Sequence, residues 1–259
     1  MRSMKKTEVM KLLEAAGSAQ TRKTWARHGI PEPCFGVKYA DLYKIVKRIG
    51  QNHALAEQLW KSGNHDARIV ATMIADAASM KATELDQWAK LVNNQLLVDA
   101  IAGLAVQGPH AIRCFDKWTK AKSEWLAATG WHLLSSLAIA KDSPVSDADL
   151  KKHITHIEKQ IHKSANRVKH SMNGALIACG SRVPKEAKAA AKRIGKVEVD
   201  HGDTSCKTPD AIPYIDKMVA RAAKKKTSKK KVAKKTAAKK KTTKKKTAKK
   251  ATKKKTAKK

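Results

Sequence analysis

Apolar residues recur with a helical period along most of this 259-residue chain, and this recurrence constrains the fold more than any other feature. In the segment ADLYKIVKRIG, which begins at residue 40, they fall at i, i+3, i+4 and i+7, on one side of a helix: Leu42, Ile45, Val46 and Ile49. Strand signals are weak, because β-branched runs are few and the chain has only two Phe and three Tyr. The sequence therefore predicts an all-α fold.

Similar stripes indicate about ten helices, each of about 10 to 18 residues, in the first 220 residues. Short turns join them, which favours antiparallel neighbours and a stack of helical pairs, an α-solenoid. Strict sequence repetition is not visible, so a helical protein of two domains stays open as an alternative. The predicted helices cover 40–50, 52–60, 67–78, 83–92, 93–106, 110–121, 123–140, 146–163, 166–181 and 184–195.

Capping signals give the expected helix ends. Thr83 is predicted to cap the helix that follows it, and Thr208 with Pro209 is predicted to begin a last helix. Glycines at four helix ends are expected to take the left-handed closing conformation: Gly50, Gly63, Gly108 and Gly180.

Charge is the second strong feature. The chain has 56 Lys and Arg against 22 Asp and Glu, a formal net charge of +34. Residues 221–259 hold 22 basic residues and no acidic one, which leaves +12 on residues 1–220. Charge of this size and sign predicts attraction to phosphate polymers or to anionic lipid.

Residues 221–259 consist almost entirely of Lys, Ala and Thr. Such a segment cannot bury enough apolar surface to offset its ordering entropy, so it is predicted to be a disordered nucleic-acid-binding tail. Its composition resembles the C-terminal domains of linker histones and of bacterial histone-like proteins; a solubilising or lipid-attracted polycation is the alternative. Its first lysine blocks are candidate phosphate contacts: Lys224, Lys225, Lys226, Lys229, Lys230 and Lys231.

Four cysteines lie far apart without a Cys-x-x-Cys pair, which indicates reduced thiols and no structural zinc module. The segment 195–210 gathers Asp200, His201, Asp203 and Cys206, but this spacing matches no established metal-ligand pattern. No cofactor or metal is expected. The sequence shows no apolar run long enough for a signal peptide or a membrane span, so a soluble cytoplasmic protein associated with the nucleoid is expected.

The segment from Phe35 to Ile45, FGVKYADLYKI, resembles the opening signature of the DNA alkylation repair proteins of the AlkD type. The pair Leu59-Trp60 and the segment from His65 to Asp76 agree in order, and the similarity covers most of residues 30–195. The resemblance implies a HEAT-like solenoid whose basic concave face holds duplex DNA. It also implies removal of positively charged N3- and N7-alkylated purines without base flipping.

The resemblance places the family's catalytic carboxylate at Asp99. A carboxylate there would stabilise the sugar cation that forms as the base leaves. The other family positions are changed: Gln95 and Gly174 stand where tryptophans belong, and Ala128 stands where an arginine belongs. Asp99 could equally be a polar residue satisfied at a helix surface.

Trp125 and Trp131 lie on the same helix as Ala128, where they are candidates for stacking on DNA. The favoured alternative is that both are buried in the core, because helical stacks commonly bury aromatic residues. Other candidate DNA contacts are Arg68 and a basic run on one helical turn, Arg167, Lys169 and His170, although such a run usually marks a solvated face.

These features predict a monomeric protein that binds double-stranded DNA, including alkylated DNA, with catalysis weak or lost. One alternative is an active glycosylase for N3- and N7-alkylpurines. Another is an RNA- or ribosome-associated protein, which charge does not exclude.

Overall fold

The computed structural model describes residues 4–221, and α3 (Tyr39–Ile49) shows how the sequence forms its helices. Leu42 and Ile45 are buried on one side of α3, and its lysines are exposed on the other. Asp41 near the start and basic residues in the last turn complement the helix dipole. The helix ends at Gly50, whose φ of 72° is in the left-handed region.

All described secondary structure is helical apart from one isolated antiparallel bridge between Gly17 and Val37. The prediction of an all-α fold is confirmed. A 3-10 turn, Ile161–Lys163, continues α10. The helices are α1 (Lys6–Ala16), α2 (Ala19–Arg27), α3 (Tyr39–Ile49), α4 (His53–Trp60), α5 (His65–Ile74), α6 (Ala82–Ala89), α7 (Gln95–Ala105), α8 (Ala111–Trp118), α9 (Glu124–Ile139), α10 (Asp147–Gln160), α11 (Asn166–Cys179), α12 (Pro184–Ile194) and α13 (211–221).

The helices alternate between two layers. Successive odd-numbered helices contact one another, and we call α3, α5, α7, α9 and α11 the first layer. We call α4, α6, α8 and α10 the second layer; each packs against the helix that follows it in the chain. This arrangement of antiparallel pairs is the predicted HEAT-like stack.

Helix α9 forms the centre of the core. It contacts α7, α8 and α11, and buried residues occur all around it, as expected for a helix enclosed by neighbours. Its Gly130 allows the close approach of α8, because a Cβ atom there would lie 2.6 Å from the backbone nitrogen of Thr119.

A buried carboxylate fixes the loop before α3. Asp66, on α5, is 1% exposed and accepts hydrogen bonds from the backbone nitrogens of Phe35, Gly36 and Val37 at 2.7–3.1 Å. The thiol of Cys34 donates to it at 3.4 Å. Burial and the Asp66 charge raise the pKa of Cys34 to about 12, so this thiol stays protonated. The segment that resembles the family signature is therefore anchored to the first layer.

Several predicted helix ends are wrong. Helix α6 begins at Ala82, so Thr83 lies inside its first turn. Residues 208 and 209 precede α13, where the side chain of Asp210 accepts from the backbone nitrogen of Ile212.

Gly50 and Gly63 have positive φ as predicted, but Gly108 and Gly180 do not. These two positions need glycine because of close approach. A Cβ at Gly108 would lie 2.4 Å from the carbonyl oxygen of Ala77, and one at Gly180 would lie 2.6 Å from Ile215.

The chain divides into a compact unit, Met1–Ile215, and a second unit, Asp216–Lys259, of which 216–221 are described as helical. The tail prediction, including the candidate lysines from Lys224 to Lys231, lies outside the described residues.

All four cysteines are free thiols. Over residues 4–221, no helix combines the length and apolarity that a membrane crossing requires.

Candidate nucleic-acid interface

Asp99 lies on the exposed side of α7, and one of its oxygens is already engaged. The side-chain amide of Gln95, one turn earlier, donates to Asp99 Oδ1 at 2.8 Å. His132 Nδ1, on α9, lies 3.5 Å from the same oxygen. The Asp99 side chain is 46% exposed, so its second oxygen can meet a ligand from solvent.

Tyr39 and His170 lie within the electrostatic reach of Asp99. Burial raises the pKa of Tyr39 to about 12, and the Asp99 charge adds to this shift. Burial also lowers the pKa of His170, with a further lowering by His201, while Asp99 acts to raise it. The pKa of His201 is lowered by burial and by Arg167. Both imidazoles are therefore neutral at pH 7.

Trp125 and Arg167 form a pair at the start of α9 and α11. The Arg167 guanidinium carbon lies 5.7 Å from the centre of the Trp125 ring, within the range of a cation–π contact, and both side chains are half-buried. Glu124 fixes this junction, because its Oε1 accepts from the backbone nitrogen of Arg167 at 2.6 Å. The pair offers an aromatic surface beside a positive charge.

The segment 195–210, unexplained by sequence, folds against α11. Asn166 bonds the backbone of Asp200 through both its amide nitrogen and its oxygen, and Asn173 Nδ2 donates to the carbonyl of Pro209 at 2.9 Å. The His201 ring meets the His170 ring edge-on at 5.8 Å. The segment borders an open cavity of about 830 Å³. Within the described part of the chain, its Asp, His and Cys side chains form no metal-ligand cluster.

Arg68 belongs to a different environment. It is half-buried, and its guanidinium carbon lies 5.2 Å from the centre of the Trp60 ring, which stacks on Trp88 at 4.4 Å. Arg68 Nε also donates to the carbonyl of Trp60 at 3.4 Å. Burial lowers the pKa of Arg68. Arg68 thus supports the junction of α4 and α5 and lies apart from the Trp125–Arg167 pair.

The prediction that Trp131 contacts DNA is wrong, because this side chain is buried in the core. It is 3% exposed, it packs edge-on against Phe115 and it stacks on His156. Neither face of its ring is open to a base. Lys169, by contrast, is half-buried on α11 near Arg167 and His170, where it can contact a ligand.

The positions that depart from the family pattern are closed or small. Ala128 is fully buried on α9, so this position faces the core. Gly174 on α11 faces Ser135, and a Cβ there would meet Ser135 Oγ at 3.8 Å, an ordinary contact.

The sequence did not predict that His132 and Tyr39 lie near Asp99, nor that His201 contacts His170. No signal within α9 identifies His132, because its proximity to Asp99 depends on how α9 packs against α7.

Comparison with known proteins agrees with this fold. The family model described as DNA alkylation repair enzyme matches residues 9–215. A solved structure titled "A new family of proteins related to the HEAT-like repeat DNA glycosylases with affinity for branched DNA structures" is similar, with a TM-score of 0.77 and 31% identity. The match covers 85% of this chain and 95% of that one.

Two curated relatives are also similar over 214 residues, which cover 79% of this chain and 93% of each relative. They are the uncharacterised proteins Lin0241 of Listeria innocua serovar 6a, 29% identical, and Lmo0209 of Listeria monocytogenes serovar 1/2a, 28% identical. The fold is thus that of a HEAT-like helical protein related to the DNA glycosylases. The chain belongs to the DNA alkylation repair enzyme family.

Proposed function

We propose that this protein binds DNA on the first layer, prefers branched over linear duplexes, and has weak or no glycosylase activity. The observation that carries the proposal is the hydrogen bond from Gln95 to Asp99. Gln95 stands where the family pattern has an aromatic residue. Its side-chain amide therefore contacts Asp99, the carboxylate that would stabilise a sugar cation. A carboxylate oxygen that already accepts a protein hydrogen bond is less able to stabilise a cation on the sugar.

The preference for branched DNA is supported by the similar solved structure, whose title states that affinity. The Trp125–Arg167 pair gives it a physical basis in this chain. Branch points expose unstacked bases, and an aromatic ring with an adjacent guanidinium can stack on such a base whatever its identity.

The experiment compares a four-way DNA junction, a linear duplex and an RNA hairpin of equal length by fluorescence anisotropy at one salt concentration. We expect the junction to bind about tenfold more tightly than the linear duplex, which corresponds to about 1.4 kcal/mol. Equal affinities for junction and duplex would remove the preference. Tighter binding of the hairpin would favour the RNA-associated alternative.

Charge reversal tests the binding surface. The double variant Arg167→Glu, Lys169→Glu should weaken binding to every DNA by a similar factor, because phosphate contacts carry no sequence information. The matched control, Lys81→Glu with Lys90→Glu, makes the same charge change at the two ends of α6 in the second layer. If the control weakens binding as much as the test variant, net charge accounts for the affinity and the first layer has no special role.

An active glycosylase is the second candidate, because Asp99 is present and 46% exposed. Purified protein is incubated with a duplex that contains N7-methylguanine, and released base is measured. We expect slow or no release, and any release should be confined to charged lesions and lost in Asp99→Asn. Rapid release that survives Asp99→Asn would show that catalysis resides elsewhere.

A further inference from the structure

A group of metal-ligand side chains lies on the second layer, apart from Asp99. His53 and Glu57 are one turn apart on α4, so they share a side of that helix, and Glu84 reaches them from α6. One ligand atom from each lies within 4.8 Å of the other two, and all three residues are half-buried. The group belongs neither to the family signature nor to the DNA-facing surface.

The separation of two of these atoms is informative. His53 Nε2 lies 3.3 Å from Glu84 Oε1. A charge-assisted hydrogen bond between such groups spans about 2.7–2.9 Å. Two ligands on a tetrahedral zinc ion, with bonds of about 2.0–2.1 Å, lie about 3.3 Å apart. The observed distance is longer than such a hydrogen bond and is compatible with the second arrangement.

The polar atoms of the group also lack other partners. Glu84 Oε1 and His53 Nδ1 are shielded from solvent, and neither has a hydrogen-bond partner within residues 4–221. A shielded carboxylate oxygen without a partner is destabilising unless a ligand satisfies it. A cation between the two carboxylates would satisfy Glu84 Oε1 and remove the repulsion between Glu57 and Glu84.

We propose that His53, Glu57 and Glu84 bind one Zn²⁺ ion. An imidazole with two carboxylates is a ligand set that zinc accepts with water in the fourth position, whereas magnesium prefers oxygen ligands. The ion joins α4 to α6, the helices that also carry the stacked Trp60 and Trp88. Its role is to fasten two neighbouring second-layer helices, and the proposal is independent of the proposed DNA binding.

The experiment is isothermal titration of the full-length chain with zinc chloride in excess magnesium. The exposed thiol of Cys206 is replaced by Cys206→Ser so that it adds no second site. We expect one zinc per chain, and His53→Ala and Glu57→Gln should each weaken its affinity at least about 100-fold, beyond the loss typical of residues outside the ligand set. The control His28→Ala removes an exposed histidine from the C-terminal cap of α2 and should bind zinc normally.

Thermal unfolding gives a second readout. Zinc should raise the Tm of the parent and of His28→Ala, because a ligand that binds the folded state stabilises it, and should leave the Tm of Glu57→Gln unchanged. Glu57→Gln retains size and is the decisive variant if His53→Ala does not fold. Zinc binding that is absent from the parent, equal in Glu57→Gln, or abolished by magnesium would overturn the proposal.

Discussion

At the residue scale, the Asp66 carboxylate carries several interactions at once, so its charge should be essential to stability. Asp66→Asn retains the size of the side chain but turns an amide nitrogen toward the backbone nitrogens of residues 35–37 that now donate to it. Buried donors that lose an ionised acceptor cost about 3 kcal/mol. The free energy of unfolding in urea should fall by about that amount.

Asp41→Asn is the matched control for Asp66→Asn, because Asp41 lies in the first turn of α3 and its ion pair with Lys44, at 2.8 Å, is exposed. Exposed pairs contribute between about 0 and 1 kcal/mol. Similar losses of unfolding free energy in the two variants would show that the hydrogen bonds to buried Asp66 contribute no more than an exposed ion pair does.

His65 should make the protein sensitive to acid. This buried side chain has its pKa lowered from 6.5 to about 4, chiefly by burial. Between those values the unfolded chain binds the proton and the folded chain does not, so stability is fully present above pH 6.5 and falls as the pH drops toward 4. The loss between pH 7 and pH 4.5 should be on the order of 2 to 3 kcal/mol from this group.

Urea unfolding at pH 7 and pH 4.5 measures this effect. His65→Gln cannot take up the proton, so it should show a smaller difference between the two pH values than the parent does. His28→Gln, at an exposed position, should retain the parent's difference. A His65→Gln variant with the full pH dependence would assign the acid sensitivity to other groups.

At the element scale, two glycines inside first-layer helices should respond in opposite ways to a methyl group. Gly130→Ala places a Cβ 2.6 Å from the backbone nitrogen of Thr119, at the end of α8, so α9 must move, at a cost of about 1–3 kcal/mol. Gly103→Ala, on α7, meets nothing within 4 Å and should gain about 0.5–1 kcal/mol from helix propensity. Thermal unfolding of both variants tests this contrast. If both variants are destabilised, α7 has no space for a methyl group at residue 103 either.

The prediction of α3 is accurate within one residue: the predicted range is 40–50, and the helix covers Tyr39–Ile49. Other helix ends are less accurate: a helix is predicted over 67–78, whereas α5 covers His65–Ile74. The first two helices were not predicted. Helix α1 buries only Val9 and Leu13, and α2 buries only Thr21, so neither carries a full stripe. Their helicity depends on local caps, such as the Ser18 side chain that accepts from the backbone nitrogen of Thr21.

The candidate site was predictable only where the family resemblance reached it. Asp99 came from that resemblance, but its neighbour His132 depends on how α7 packs against α9, which no pattern within one helix records. The contrast between Trp125 and Trp131 has the same origin. Helix α9 is apolar all round, so periodicity cannot tell its core side from its open side.

At the scale of the whole molecule, the charge is divided between a body of +12 and residues 221–259, which hold 22 basic residues. The body presents shaped features, such as the Trp125–Arg167 pair, that can respond to DNA geometry. A run of Lys, Ala and Thr has no comparable means of discrimination, and we expect it to contribute through counterion release. Selectivity and affinity should therefore reside in different parts of the chain.

Removal of residues 221–259 should lower DNA affinity and salt sensitivity without changing selectivity. If the tail neutralises about ten phosphates, the slope of log K against log salt concentration should flatten by about nine. The ratio of junction to linear-duplex affinity should stay the same, because both DNAs offer the same phosphates to a run of lysines. The measurement is anisotropy titration of both DNAs with full-length and truncated protein at several salt concentrations.

Unchanged slopes would mean that these lysines do not contact phosphate. A truncated protein that binds no DNA at low salt would make the helical body a scaffold for proteins, with the tail as its DNA contact.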